Sequence, residues 1–213
     1  MIKIYLADIG QLDTIQKFDS YLCKVNKQRR MKVLRCKNED DKKRSLLVGI
    51  LLRYAIEQEG YCYEDVEFAT SKEGKPYVVS IPQMFFSLSH SGKYAVCVIA
   101  HCNIGVDVEC AQRFLLRNDD KLDSVARKIF SSEEFALFES ALQEERKEIF
   151  LKNWTRKEAV SKAIGKGLSM DFSKICEPDE KFYSFWLEEE YYISLYSQEG
   201  VLRREYVVIC TMN

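Results

Sequence analysis

Proline is scarce in this 213-residue chain, with three residues, and so are glycine, with nine, and histidine, with only His90 and His101. So few breakers argue against long flexible linkers. None of the eight cysteines (23, 36, 62, 97, 102, 110, 176 and 210) forms a Cys-x-x-Cys pair. A structural zinc site, which needs closely spaced soft ligands, is therefore not expected. No run approaches the roughly 20 apolar residues that span a bilayer. The opening Met1-Ile-Lys-Ile-Tyr-Leu-Ala-Asp8 alternates in polarity, unlike a leader with a charged segment and an apolar run. These absences point to a cytoplasmic protein, away from membranes, whose reduced cysteines serve as small apolar fillers.

What is present is ordinary in amount and uneven in place. Hydrophobic residues make up 46% and charged residues 31%, which suits a folded globular chain and excludes a disordered or fibrous one. The net charge is −1, yet residues 24–44 carry ten Lys or Arg against three acids. Such a local excess predicts an anionic partner there or a solvated helical face.

Residues 2–8 read as a strand, followed by basic helical material to about Lys37. Leu46, Leu47, Ile50, Leu51, Tyr54 and Ala55 recur at three- and four-residue steps, predicting a helix over 40–59 stopped by Gly60. Short strands are expected at 65–69, 77–81, 84–89, 94–100 and 103–109, and a charged irregular stretch at 111–122. Ser131-Ser132-Glu133-Glu134 has the pattern of a capping box. A long helix over 144–164 ends at Gly165 and Gly167, and 182–187, 190–196 and 204–211 read as an antiparallel meander. Strands and helices mix without regular alternation, so the class is α+β.

Three segments carry chemistry. In Gly105-Val106-Asp107-Val108-Glu109, strand alternation puts both carboxylates on one face, about 6.5 Å apart along the strand. All-oxygen ligation of that kind suits a hard cation such as Mg²⁺, although a solvated acidic edge gives the same pattern. On the helix from Phe150 to Gly167, the residues Trp154, Glu158 and Lys162 share one stripe. Glu158 and Lys162 there form a surface ion pair worth only ~0.3–0.5 kcal/mol, or a carboxylate with a phosphate-binding cation beside it. In Phe85-Phe86-Ser87-Leu88-Ser89-His90-Ser91-Gly92, an apolar run breaks into hydroxyls and an imidazole, read as a tight turn with donors for an anion.

Together, and in this order, the three segments resemble the Sfp-type 4'-phosphopantetheinyl transferases. That family shows a Ser-His-Ser turn, a Gly-hydrophobic-Asp-hydrophobic-Glu strand and a Trp-x-x-Lys-Glu-x-x-x-Lys-x-x-Gly-x-Gly-Leu helix. The resemblance extends to Gly74-Lys75-Pro76 and to Arg44-Ser45-Leu46-Leu47, covering residues 27–168. It implies two similar α/β subdomains related by a pseudo-twofold axis, 1–102 and 103–213, with the active site at their interface. It also implies transfer of the 4'-phosphopantetheine arm of coenzyme A to a serine of an acyl or peptidyl carrier protein, with release of 3',5'-ADP. The carrier could belong to fatty-acid, polyketide or nonribosomal peptide synthesis.

Carried over by position, Asp107, Glu109 and Glu158 would hold Mg²⁺, or Mn²⁺, against the pyrophosphate. Glu158, or a water in its place, would be the base, and Lys162 would bind the pyrophosphate and offset charge on the leaving group. Ser89 and His90 would bind coenzyme A phosphates. Arg44, Lys32 and Arg29 or Lys27 would hold the 3'-phosphate, and the backbone around Gly74, Lys75 and Pro76 would meet the adenine. Lys157 matches the motif as an anion-facing or structural residue. Residues 111–122, with Phe114, Leu115 and Leu116 between Arg113 and Arg117, would dock the carrier. The length fits the monomeric branch. A metal-dependent nuclease and a basic nucleic-acid-binding module are the rival readings; neither accounts for all three segments, so no nucleic-acid partner is expected.

Overall fold

The chain builds a similar unit twice. In the computed structural model, which describes residues 1–12, 15–115, 119–200 and 207–211, the first unit opens with strand β1 (Ile2–Asp8). Helices α1 (Ile15–Leu22), α2 (Lys27–Arg35) and α3 (Glu39–Gln58) follow. A small hairpin, β2 (Phe68–Thr70) and β3 (Pro76–Val78), precedes the hairpin β4 (Phe85–Ser91) and β5 (Tyr94–Ala100). The second unit opens with β6 (Ile104–Cys110). It continues through α4 (Ala111–Leu115), α5 (Asp119–Ile129), α6 (Ser132–Ser140) and α7 (Gln143–Ile164) to the hairpin β7 (Phe182–Leu187) and β8 (Tyr191–Ser197). In both units the opening strand lies antiparallel to the last strand of the following hairpin, giving the orders β1-β5-β4 and β6-β8-β7.

The two sheets pack face to face. Ile2, Ile4, Leu6, Val96, Val98 and Ala100 from the first meet Val106, Val108, Ile193 and Leu195 from the second. On the outer face of the first sheet, Tyr5, Ala7, Cys97 and Ile99 lie against Leu47, Leu51 and Ala55 of α3. α7 covers β6 and β8 on the far side. β1, β5 and β6 are thus covered on both faces, and β5 accordingly reads as a nearly continuous apolar run. Each fully buried Ile, Leu or Phe contributes about 1.5–3 kcal/mol by leaving water.

The acids within the basic 24–44 stretch have a local explanation. Asn38 caps α3 by accepting from the amides of Asp40 and Asp41, and Glu39, Asp40 and Asp41 occupy the first turn, where carboxylates favour the helix dipole. Ser131 and Glu134 form the expected capping box. Gly165 closes α7 in the left-handed conformation at φ 84°.

Three expectations need correction. The C-terminal third is not a simple meander, because β9 (Val207–Thr211) leaves its neighbours and pairs parallel to β1 in the first sheet. Residues 111–122 are not irregular where described: they hold α4 and the start of α5, while 116–118, with Leu116 and Arg117, lie outside the described residues. Ser89-His90-Ser91 is not a turn but the end of β4, paired with Val96, Ala95 and Tyr94 of β5. The turn proper is Gly92-Lys93. Among the described residues no helix is long and apolar enough to cross a membrane.

Gly105 shows how closely the second layer is packed. A Cβ built there would lie 1.9 Å from the carbonyl oxygen of Ala159 on α7. The glycine of the acidic strand is therefore a packing requirement. Gly105→Ala is expected to lower stability by about 1–3 kcal/mol through overpacking, read as a lower midpoint in thermal unfolding; an unchanged midpoint would show that α7 can shift outward.

Candidate active site

Where the two units meet, a cavity of about 530 Å³ opens between β4, β6, α2 and α7. Its floor is acidic. β6 alternation turns Asp107 and Glu109 toward α7, which supplies Glu158 and Lys162 one turn apart and Trp154 one turn earlier. Asp107 is 4% exposed. Its Oδ1 accepts from Lys162 Nζ at 2.6 Å and from Ser89 Oγ at 2.7 Å. Its Oδ2 is buried with no hydrogen-bond partner among the described residues. Glu109 is clamped at both oxygens, Oε1 by Trp154 Nε1 at 3.0 Å and Oε2 by Ser91 Oγ at 2.9 Å.

Crowding and burial raise the proton affinity of two of the carboxylates. Burial pushes Glu158 up to about 7, with Asp107 and Glu109 adding to the rise and Lys162 opposing it. Glu109 is raised as well, by burial first and then by Asp107.

The opposite wall is cationic. Arg29 and Lys32 reach the cavity from α2, and neither has an ion-pair partner among the described residues. Burial lowers the pKa of both below the ordinary values for these side chains. His90 stands between the two walls. Desolvation, and then Lys162, Arg44, Lys32 and Arg29, pull its imidazole down to about 4, so it is neutral at pH 7. A site with free cations at one end and crowded carboxylates at the other suits a polyanion bound through an oxygen-seeking cation.

Most of the residues expected at the site line this cavity: Arg29, Lys32, Gly74, Lys75, Pro76, Ser89, His90, Asp107, Glu109, Glu158 and Lys162. Two do not. Lys157 is 2% exposed and turned into the protein, its amine bonded to Glu134 Oε2 at 2.8 Å and to the carbonyls of Phe172 and Ile175. At i−1 from Glu158 it necessarily points about 100° away around the helix. Arg44 is taken up by the carbonyl of Gly92 at 2.9 Å and by Asp41 at 2.7 Å, so it steadies the turn after β4 instead of lining the cavity. Lys27 is also off the lining, at the exposed start of α2.

Two of the lining residues also have side-chain partners within the protein. The hydroxyl of Ser89 is committed to Asp107, Lys162 and the amide of Val108. The amine of Lys75 crosses to the second unit, donating to Ala163 O at 2.6 Å and Asn103 Oδ1 at 3.0 Å, and burial lowers its pKa to about 8. It thereby caps the carbonyl end of α7. The three acids share the cavity without forming a ready cage: among the described residues no three acid, thiol or imidazole groups are gathered closely enough to hold a metal ion. Glu109 is held by Trp154 and Ser91, and Asp107 by Lys162 and Ser89.

Tyr191 and Asn103 were not singled out by sequence reasoning, and Ser87 and Ser91 were read only as part of an anion-binding turn. The serine spacing 87, 89, 91 was the available signal, because on a strand it puts three hydroxyls on one face. Tyr191 had none: it packs over Gly92, accepts from the amide of Lys93, and comes from a strand about 100 residues away.

Comparison with known proteins decides the family. A family model described as the 4'-phosphopantetheinyl transferase superfamily matches residues 103–211, about half of the chain, and one described as 4'-phosphopantetheinyl transferase, N-terminal, matches residues 13–103. The chain belongs to the 4'-phosphopantetheinyl transferase superfamily. Its relatives include a 4'-phosphopantetheinyl transferase of Bacillus subtilis, 26% identical over 200 residues, covering 93% of this chain and 83% of that protein. The 4'-phosphopantetheinyl transferase Sfp of Bacillus subtilis (strain 168) is 27% identical over 170 residues, 79% of this chain and 73% of the relative. The 4'-phosphopantetheinyl transferase psf-1 of Bacillus pumilus is 34% identical over 134 residues, 62% and 54% of the two chains. In this transferase the two matched regions meet at the cavity, with the cations of α2 in one and the carboxylates of β6 and α7 in the other.

Proposed function

We propose that the cavity binds coenzyme A with its 3'-phosphate toward Arg29 and Lys32 and its pyrophosphate over Asp107, Glu109, Glu158 and Lys162. The transferase then moves the 4'-phosphopantetheine arm to a serine of an acyl or peptidyl carrier protein. The observation that carries this reading is the buried, unpartnered Asp107 Oδ2 among crowded carboxylates. A buried charged oxygen left without a donor is costly, and a hard cation relieves it. The residues present supply the all-oxygen donor set that Mg²⁺, or Mn²⁺, takes, and Asp107, Glu109 and Glu158 would hold it by drawing together around the ion. Bound there, the ion would draw charge from the pyrophosphate as a Lewis acid.

The chain's own groups divide the remaining work. The serine oxygen bonds to the phosphorus that bears the pantetheine arm, the bridging P–O bond breaks, and its electron pair leaves on 3',5'-ADP. Lys162 faces that leaving phosphate, and its charge stabilises the departing oxygen. Glu158, or a water beside it, would take the serine proton. His90, neutral in the free protein, offers a ring N–H to a phosphate oxygen. Residues 1–102 and 103–213 act as the two subdomains, although β9 returns to the first sheet. Since one chain supplies both walls, the protein works as a monomer, in the cytoplasm.

The test is to incubate the protein with coenzyme A, Mg²⁺ and apo carrier proteins of several types, then weigh the carriers. A phosphopantetheine adduct is expected; none on any carrier would sink the reading.

We also place the carrier beside α4. Arg113 is 61% exposed and 4.0 Å from Glu109, which lines the cavity, and its neighbour Phe114 is buried. A basic side chain at that position steers an acidic carrier toward the site. Arg113→Glu is expected to raise KM for the carrier several-fold and to leave coenzyme A binding unaltered; an unchanged carrier KM counts against this placement.

A further inference from the structure

β6 is an edge strand of its sheet, and a row of its amides has no strand beside it. Side chains of β4 fill that role. Ser87 Oγ accepts from the amide of Val106 at 3.1 Å, Ser89 Oγ from Val108 at 3.3 Å, and Ser91 Oγ from Cys110 at 3.1 Å. The offset is 19 residues at every rung. Each hydroxyl has one proton, and accepting from an amide leaves that proton free to donate elsewhere. At the second rung it goes to Asp107 Oδ1, and at the third to Glu109 Oε2. The first rung is different: the residue before Val106 is Gly105, which has no side chain.

We propose that Ser91 is a positioning residue for the reaction, fixing the carboxylate of Glu109 toward the cavity through its third-rung hydroxyl. Ser91 is 1% exposed and held by the β4–β5 pairing opposite Tyr94, so its hydroxyl has little freedom. Trp154 fixes the other carboxylate oxygen. Two donors on opposite oxygens set both the plane and the reach of the carboxylate. Arg113 approaches from the open side, at 3.5 Å from Ser91 Oγ, but its exposure leaves it free to move. The inference rests on the reading of Glu109 as a metal-binding carboxylate. Partners that orient a metal-binding group commonly carry about 10–100-fold of the affinity for the ion.

Ser87 is a built-in control, because it makes the same rung to a β6 amide without a carboxylate. The test is calorimetric titration of Mg²⁺ into the protein with coenzyme A and no carrier, so that nothing turns over. Ser91→Ala is expected to weaken Mg²⁺ binding about 10–100-fold, Ser87→Ala to leave it close to wild type, and Ser91→Thr, which keeps the hydroxyl, to restore it. Both alanine variants should lower the thermal midpoint, since each strands one buried amide. Equal Mg²⁺ affinity in the wild type and Ser91→Ala, or equal weakening in Ser87→Ala and Ser91→Ala, overturns the inference and leaves the functional reading intact. A wild-type protein that takes up no Mg²⁺ overturns the functional reading and the role of Ser91 with it. Should Ser91→Ala fail to fold, Ser91→Cys fills the same volume with a much weaker donor and is expected to show the same loss.

Discussion

Asp107→Asn is expected to lower the rate of phosphopantetheine transfer by about 10²–10³-fold, the usual cost of losing one well-placed electrostatic group at a reacting centre. The substitution preserves shape. The amide oxygen can still accept from Ser89 and Lys162, as Asp107 Oδ1 does at 2.7 and 2.6 Å. What disappears is the negative charge on the buried Oδ2, which has no partner among the described residues. Asp107 also helps to push Glu158 up to about 7. Removing one of three crowded carboxylates therefore relieves repulsion, and the thermal midpoint should stay level or rise. Loss of transfer together with an undiminished midpoint separates a functional role from a structural one. The assay is the mass of the carrier over time; a rate near that of the wild type would falsify the assignment of Asp107.

The opposite pattern is expected at Lys157. Its amine, 2% exposed, holds Glu134 Oε2 and the carbonyls of Phe172 and Ile175, and the same Glu134 oxygen accepts from the amide of Ser131 in the cap of α6. One cation thus ties α7 to the start of α6 and to the loop after α7. Lys157→Met keeps the bulk of the stem but leaves a carboxylate and two carbonyls short of a donor. Breaking a buried pair from one side costs about 3–5 kcal/mol. For a chain of this size that lowers the midpoint by about 6–20 °C. The folded fraction should keep its KM for coenzyme A. A raised KM with an unmoved midpoint would instead restore Lys157 to the anion-binding face.

These two residues mark the limits of reading the site from its sequence. Asp107 and Glu109 were legible because strand alternation is a local rule: residues two apart share a face whatever surrounds the strand. Glu158 and Lys162 were legible in the same way from helical pitch. Lys157 was not, because sharing a motif with Glu158 says nothing about which face of the helix is wet, and its partners come from 134, 172 and 175. Arg44 lies in the right basic stretch, but the carbonyl of Gly92, 48 residues away, claims its guanidinium. Ser-His-Ser was read as a turn because serines are common there. Pairing with β5 makes it a strand, and that pairing turns its serines toward β6.

The sequence by itself determined the α+β class, the long helices α3 and α7 with their caps, the acidic face of β6 and the basic bias of α2. All of these follow from local periodicity, capping and charge. Only the tertiary structure decided that β9 joins the first sheet and that three serines serve the bare edge of β6. It alone brought Arg29 and Lys32 opposite Asp107 and Glu158 across one cavity. Those outcomes depend on which buried amides, carbonyls and charges find partners across the interface between two units, and no spacing along a single strand or helix carries that information.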